Sequence, residues 1–190
     1  MITIYDAARC PFCARVRIAL AEKGVEHELF AIDLSDRPAW LYEKNPVGKV
    51  PVLEEDAFVL PESEVIMEYL EERYPEPALL PADPAARAMV RLAIHRFDLN
   101  LGDAYYAYRR GEEGSSDGLV HCLSFMERAT PAWQLPFGLL DIAYVPWLIR
   151  LRDQLGFDLS LFPALLAKLD ELVARPSIAA EVEIVTALAR

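Results

Sequence analysis

Cysteine, histidine and positive charge are all scarce in this chain, and no apolar run is long. The three cysteines, Cys10, Cys13 and Cys122, are an odd set with one close pair, which does not make a disulfide scaffold. A reactive thiol in a reducing compartment suits that count better. Three histidines and the lack of a second Cys-x-x-Cys leave zinc without a full set of ligands. Only 19 Lys and Arg stand against 30 Asp and Glu, a formal net charge of -11. There is therefore no basic stripe to displace counterions from phosphate, and nucleic acid is excluded as a partner. The most apolar stretch, "PFGLLDIAYVPWLI", is shorter than the roughly 20 residues that span a bilayer and carries Asp141 in its middle. Met1 runs straight into "ITIYDAA", a strand pattern and not a leader. The expectation is a cytoplasmic protein with no membrane segment.

What is present is an ordinary globular composition, 54% hydrophobic and 26% charged over 190 residues, enough for one large domain or two small ones. "ITIYD" reads as a strand, and Pro11 to Lys23 as a helix stopped by Gly24. "HELFAID" alternates like a second strand. "VPVLEE" and "AFVLPE" read as two more, joined by an acidic turn at Glu55–Asp56. A helix from Ser63 to Tyr74 follows, with Ser63 as its N-cap. Residues 1–75 thus form a compact α/β unit of thioredoxin type. "PEPALLPADP", with four prolines, marks a linker over 76–84. From 85 to 190 only helical patterns appear: Ala85–Arg110, Leu119–Ala129, Leu139–Leu155, Pro163–Ala174 and a short last helix after Pro176. "GEEGSSDG" reads as a loop between the first two.

Three segments can carry chemistry. In "CPFCARVRIALAEKG", Pro11 suits the first helical position and places Cys10 at the N-cap. Free backbone amides and the positive helix end then favour thiolate over thiol, below the free value of roughly 8.5. Cys13, one turn on, is a possible resolving thiol; a buried inert pair is the competing reading. In "NPVGKVPVLEE", Pro51 at a strand entrance cannot donate a ladder hydrogen bond. A cis Val50–Pro51 bond would present the Val50 backbone to an extended peptide, whereas an ordinary strand-initiating proline would not. In "PESEVIMEYL", a helix start with a serine is an anion site suited to a carboxylate, and Glu62 can accept from an ammonium beside it. Against this, Ser63 as a plain cap explains the same residues.

Taken together, these segments resemble the cytosolic glutathione S-transferases over nearly the whole chain. They look most like the cysteine-type members, the omega class and its bacterial relatives. The resemblance implies a thioredoxin-like N-terminal domain and an all-α C-terminal helical domain. It implies glutathione as co-substrate and a small electrophile or disulfide as the second substrate, in a homodimer. Cys10 matches the cysteine that forms a mixed disulfide with glutathione. Val50 matches the residue whose backbone pairs with the cysteinyl part, and Pro51 the cis-proline. Glu62 and Ser63 match the pair that grips the γ-glutamyl head group. Arg37 falls where omega-like proteins place a lysine near the glycyl carboxylate. The implied chemistry is glutathione-dependent thiol transfer, reducing mixed disulfides or small oxidants.

The chain departs from that pattern in places. "CPFC" is what glutaredoxins show, since omega-type proteins usually lack the second cysteine. The family's Ser/Thr-x-x-Asp capping box is here "GLLD", so Gly138 replaces the hydroxyl residue and Asp141 remains as a buried structural carboxylate. Little sequence follows Arg175, which implies an open second-substrate pocket. Rings of Tyr105, Tyr106 and Tyr108 line that pocket or pack as core; Cys122, His95 and His121 read as structural. The chain also resembles the stringent starvation protein A group, which keeps the fold but binds RNA polymerase. A zeta-like isomerase is disfavoured by the absence of its serine–cysteine motif.

Overall fold

The structure, a computed structural model, describes residues 1–128 and 135–188. Its sheet is built from β1 (Ile2–Asp6), β2 (His27–Ala31), β3 (Val52–Glu55) and β4 (Phe58–Pro61) in the order β2-β1-β3-β4. β1 runs parallel to β2 and antiparallel to β3, and β3 is antiparallel to β4. Strand alternation sends Ile2 and Ile4 to one face, where they are buried with Val16 and Leu20 of α1 (Pro11–Lys23) and Ile66 and Leu70 of α3 (Ser63–Arg73). The other face packs Tyr5 and Phe30 against Trp40, just ahead of the short α2 (Leu41–Lys44). Gly24 ends α1 in the left-handed conformation, which lacks a steric penalty only for glycine. This is the thioredoxin-like arrangement expected of the sequence.

The helical part contains α4 (Pro84–Asp98), α5 (Leu101–Arg109), α6 (Ser115–Arg128), α7 (Leu139–Ile149), α8 (Pro163–Leu172) and α9 (Pro176–Leu188). The pattern over Ala85–Arg110 is not one helix but two, broken at Leu99–Asn100. Helix α6 starts four residues earlier than its apolar periodicity suggests, taking Ser115 from the expected loop. Its other expected end, Ala129, lies outside the described residues. α7 runs into a π-helical turn, Arg150–Gln154. The last helix is not short; it has 13 residues and packs on α1.

The two parts are joined through α1, which touches α7 and α9 as well as α3. Arg15 is buried there: its Nε donates to the Ala143 carbonyl at 2.9 Å and its two terminal nitrogens grip Asp98. At the head of α7 the Gly138 N–H donates to the Asp141 carboxylate at 3.0 Å, half of the reciprocal cap that a serine would complete. Burial pushes the Asp141 carboxyl up, against the pull of the Gly138 amide and Lys168. Among the described residues no helix is long and apolar enough to cross a membrane.

Candidate active site

One end of the sheet gathers the chemically interesting segments. Tyr5 pairs with Val52, and Val52 pairs with Pro61. The chain therefore leaves β1 toward Cys10, enters β3 from Val50–Pro51 and leaves β4 toward Glu62 and Ser63, all at the same edge. The connection after β2 starts there too, since Ala31 pairs with Asp6; Arg37 lies on it, exposed to solvent.

Cys10 occupies the N-cap of α1 with extended backbone angles, φ -89° and ψ 118°. Its amide donates to the Ala7 carbonyl at 2.9 Å, closing the turn that presents the thiol. The thiol reaches the Val50 carbonyl oxygen at 3.7 Å, so the two halves of the site touch. Val50–Pro51 is a cis peptide bond. A hydrogen bond from Cys13, then the amides of Cys13 and Phe12 and the charge of Arg150, outweigh burial and bring the Cys10 thiol down to about 7. Cys13 behaves oppositely. It is wholly buried, accepts the Ala7 N–H at 3.4 Å, and burial together with the Cys10 sulfur pushes its thiol well up. The two thiols are thus shifted apart, Cys10 toward the thiolate and Cys13 toward the thiol. All three cysteines are free.

Glu62, not Ser63, stands at the cap of α3, and Ser63 is the first helical residue. The correction has a backbone cause: Glu62 has φ +71°, outside the helical range and rarely adopted by a residue with a side chain. Such a conformation costs about 1–3 kcal/mol and is kept where surroundings demand it. It turns the exposed Glu62 side chain outward while Ser63 is buried at the helix start.

Above the thiol stand rings from the helical part. Tyr105 is entirely buried and packs edge-on against Trp147 at 5.2 Å, so it belongs to the core. Tyr106 is half-buried; burial and the neighbouring Cys10 sulfur push its phenol up to about 12. Tyr105 and Tyr106 both feel the Cys10 sulfur, and Tyr106 is the more exposed of the two. Tyr108 packs on Phe157 instead. Cys122 is half-buried on α6, far from this chemistry in role. Among the described residues no cluster of His, Cys, Asp and Glu is arranged to hold a metal.

Sequence reasoning missed Arg17, Arg150 and Glu181, which lie buried behind the cysteine turn. The available signal was two arginines, Arg15 and Arg17, inside an apolar helical pattern where solvated charge has no place.

A family model of the glutathione S-transferase N-terminal domain matches residues 4–78. The rat glutathione S-transferase omega-1 is 34% identical over 162 residues, covering 80% of this chain and 67% of its own. The chain belongs to the glutathione S-transferase superfamily. Within it, the chain is a cysteine-type member. A Drosophila melanogaster pyrimidodiazepine synthase is 34% identical over 95% of this chain and 80% of its own length. A stringent starvation protein A homologue of Haemophilus influenzae is 34% identical over 80% of this chain and 76% of its own. Among solved transferase structures, glutathione transferase Omega 1C of Trametes versicolor superposes with a TM-score of 0.85 at 31% identity, covering 99% of this chain and 94% of its own. Rice GST1, solved in complex with glutathione, gives 0.85 at 28% identity over 99% and 94%.

Proposed function

We propose that the protein is a glutathione-dependent thioltransferase whose nucleophile is Cys10. The observation that carries the reading is a thiol at a helix start, near half ionisation at neutral pH, beside the open Val50 backbone. A free thiol with a pKa of roughly 8.5 is only ~3% ionised at pH 7. The Cys10 thiolate attacks the glutathionyl sulfur of a mixed disulfide, forming protein–S–SG and expelling the substrate thiolate. A second glutathione thiolate attacks that sulfur, releasing oxidised glutathione and regenerating the Cys10 thiolate. Cys10 is then the leaving group, and a lowered pKa speeds its departure. The Val50 backbone would pair with the cysteinyl unit, Pro51 would keep that edge open, and Glu62 and Ser63 would hold the γ-glutamyl ammonium and carboxylate. Arg37 would reach the glycyl carboxylate. Tyr106 would face the second substrate, a small disulfide or electrophile.

Cys13 enters this scheme as a donor to the Cys10 sulfur more than as a resolving thiol. The test is glutathione-dependent disulfide reduction by wild type, Cys10→Ser and Cys13→Ser. Activity should vanish with Cys10→Ser and persist, reduced, with Cys13→Ser. Equal loss in both would replace the monothiol route by a dithiol one. An inactive wild type that binds no glutathione would end the enzymatic reading. The stringent starvation protein A relatives then favour a non-enzymatic regulator that binds RNA polymerase. We also propose a location in the cytoplasm, and a homodimer, the latter supported by exposed Met89 and Leu92 on α4 and Leu99 just past its end, with Val65 on α3 and Phe58 on β4.

A further inference from the structure

A buried ion network lies behind the cysteine turn, and of its members only the charge of Arg150 has entered the account of the Cys10 thiol so far. Arg150 is fully buried at the start of the π-helical turn. Its Nη2 donates to Glu181 Oε1 at 2.7 Å and to the Ala8 carbonyl at 3.0 Å, and its Nη1 donates to the Pro146 carbonyl at 3.0 Å. Glu181, on α9, turns its other oxygen to Arg17 at 2.8 Å, and Arg17 also pairs with Asp6. Two guanidinium groups and two carboxylates thus neutralise one another out of water.

Stability is a weak reason for such a set, because apolar residues of the same shape often serve as well. The Arg150 Nε is buried with no partner, a further cost. What the network does achieve is a grip on Ala8. That residue follows Ala7, whose N–H donates to Cys13 Sγ and whose carbonyl accepts the Cys10 amide. Arg150 therefore holds the turn at the residue that directly follows the contacts of both cysteines.

We propose that Arg150 is a positioning residue for the reactive thiol: anchored by Glu181, it clamps the Ala8 carbonyl and holds the Cys10 sulfur over the first amides of α1. The proposal rests on the reading of Cys10 as the nucleophile. The groups facing Cys10 are Cys13 on α1, Tyr105 and Tyr106 on α5, and Arg150 on the π-helical turn. Arg150 alone among these brings a positive charge.

The test is the pH dependence of Cys10 alkylation by iodoacetamide in the full chain. Mass spectrometry scores Cys13 and Cys122 separately, and circular dichroism checks the fold. The wild-type midpoint should lie at about 7. Arg150→Met, which keeps length but loses charge and donors, should raise it by about one unit, roughly a tenfold slower reaction on the acid side. Arg150→Lys should give a smaller rise, because an ammonium keeps the charge but cannot span three acceptors as a guanidinium does. A folded Arg150→Met protein with the wild-type midpoint overturns the proposal. If that variant does not fold, an unshifted midpoint in Arg150→Lys overturns it instead. A wild-type midpoint at the ordinary thiol value removes the reading of Cys10, and the proposal with it. That failure is distinct from unchanged variants of a low-midpoint wild type.

Discussion

Adding one methyl group at Gly138 should destabilise the fold by about 2–4 kcal/mol. A Cβ built there would lie 2.3 Å from the Leu79 carbonyl oxygen and 3.1 Å from its carbon. Since real Cβ contacts do not fall below 3.0 Å, the linker would have to retreat by about 0.7 Å. It is poorly placed to do so. The Leu79 carbonyl accepts the Leu139 N–H at 2.8 Å, and the Leu79 N–H donates to Glu71 at 3.0 Å. Stretching the first bond costs about 0.5–1.5 kcal/mol, and crowding a packed interior about 1–3 kcal/mol more. Gly138→Ala isolates this steric penalty. Gly138→Ser adds a hydroxyl that can cap α7, worth about 1 kcal/mol, and should still leave the protein less stable than wild type. Urea unfolding, with midpoint and slope fitted for all three proteins, decides the sign. If Gly138→Ser equals or exceeds wild type, the cap outweighs the contact and the steric reasoning is wrong.

Arg15→Met should cost about 3–5 kcal/mol in the same assay, because Asp98 and the Ala143 carbonyl lose a buried partner; adding Asp98→Asn should recover part of it, and strict additivity would show the pair to be uncoupled. Burial raises the Glu22 carboxyl, but hydrogen bonds from Arg175 and Ser177 outweigh it and hold the group below its usual value. Its contribution is therefore present above the ordinary glutamate pKa and lost as pH falls through the lowered folded one. Glu22→Gln should flatten the acid limb of Tm against pH, and an unchanged limb would count against the assignment. Met89→Lys on α4 and Leu99→Lys just past its end should shift sedimentation equilibrium from dimer to monomer; a monomeric wild type would refute the dimer.

Much of the fold was legible because its signals are local. Strand alternation in "ITIYD", Pro11 and Gly24 bracketing α1, and proline density at the linker each act within a few residues. The Cys13 side chain one turn on and the helix-start amides, which together lower the Cys10 thiol, are of the same kind. Other features depend on distant partners. The break at Leu99–Asn100 leaves the apolar periodicity almost intact, so α4 and α5 read as one helix. Ser63 fits an N-cap by residue type, yet the unusual φ of Glu62 shifts the helix start by one. Gly138 looked like a lost cap, whereas the nearby Leu79 carbonyl explains it by space. Arg150 and Glu181 are 31 positions apart, and nothing in either neighbourhood announces the other.

Glu181 also bears on the order in which the molecule is finished during synthesis. The sheet, α1 and the two cysteines of the turn leave the ribosome before Arg150 does, and the carboxylate that Arg17 and Arg150 share comes later still, with α9. Until residue 181 has emerged, two guanidinium groups behind the cysteine turn lack their shared counter-charge, and the Ala8 grip lacks its anchor. The thiol unit is consequently not a cassette. A chimera that joins residues 1–75 to another helical partner would carry the nucleophile over and leave behind the group that braces it.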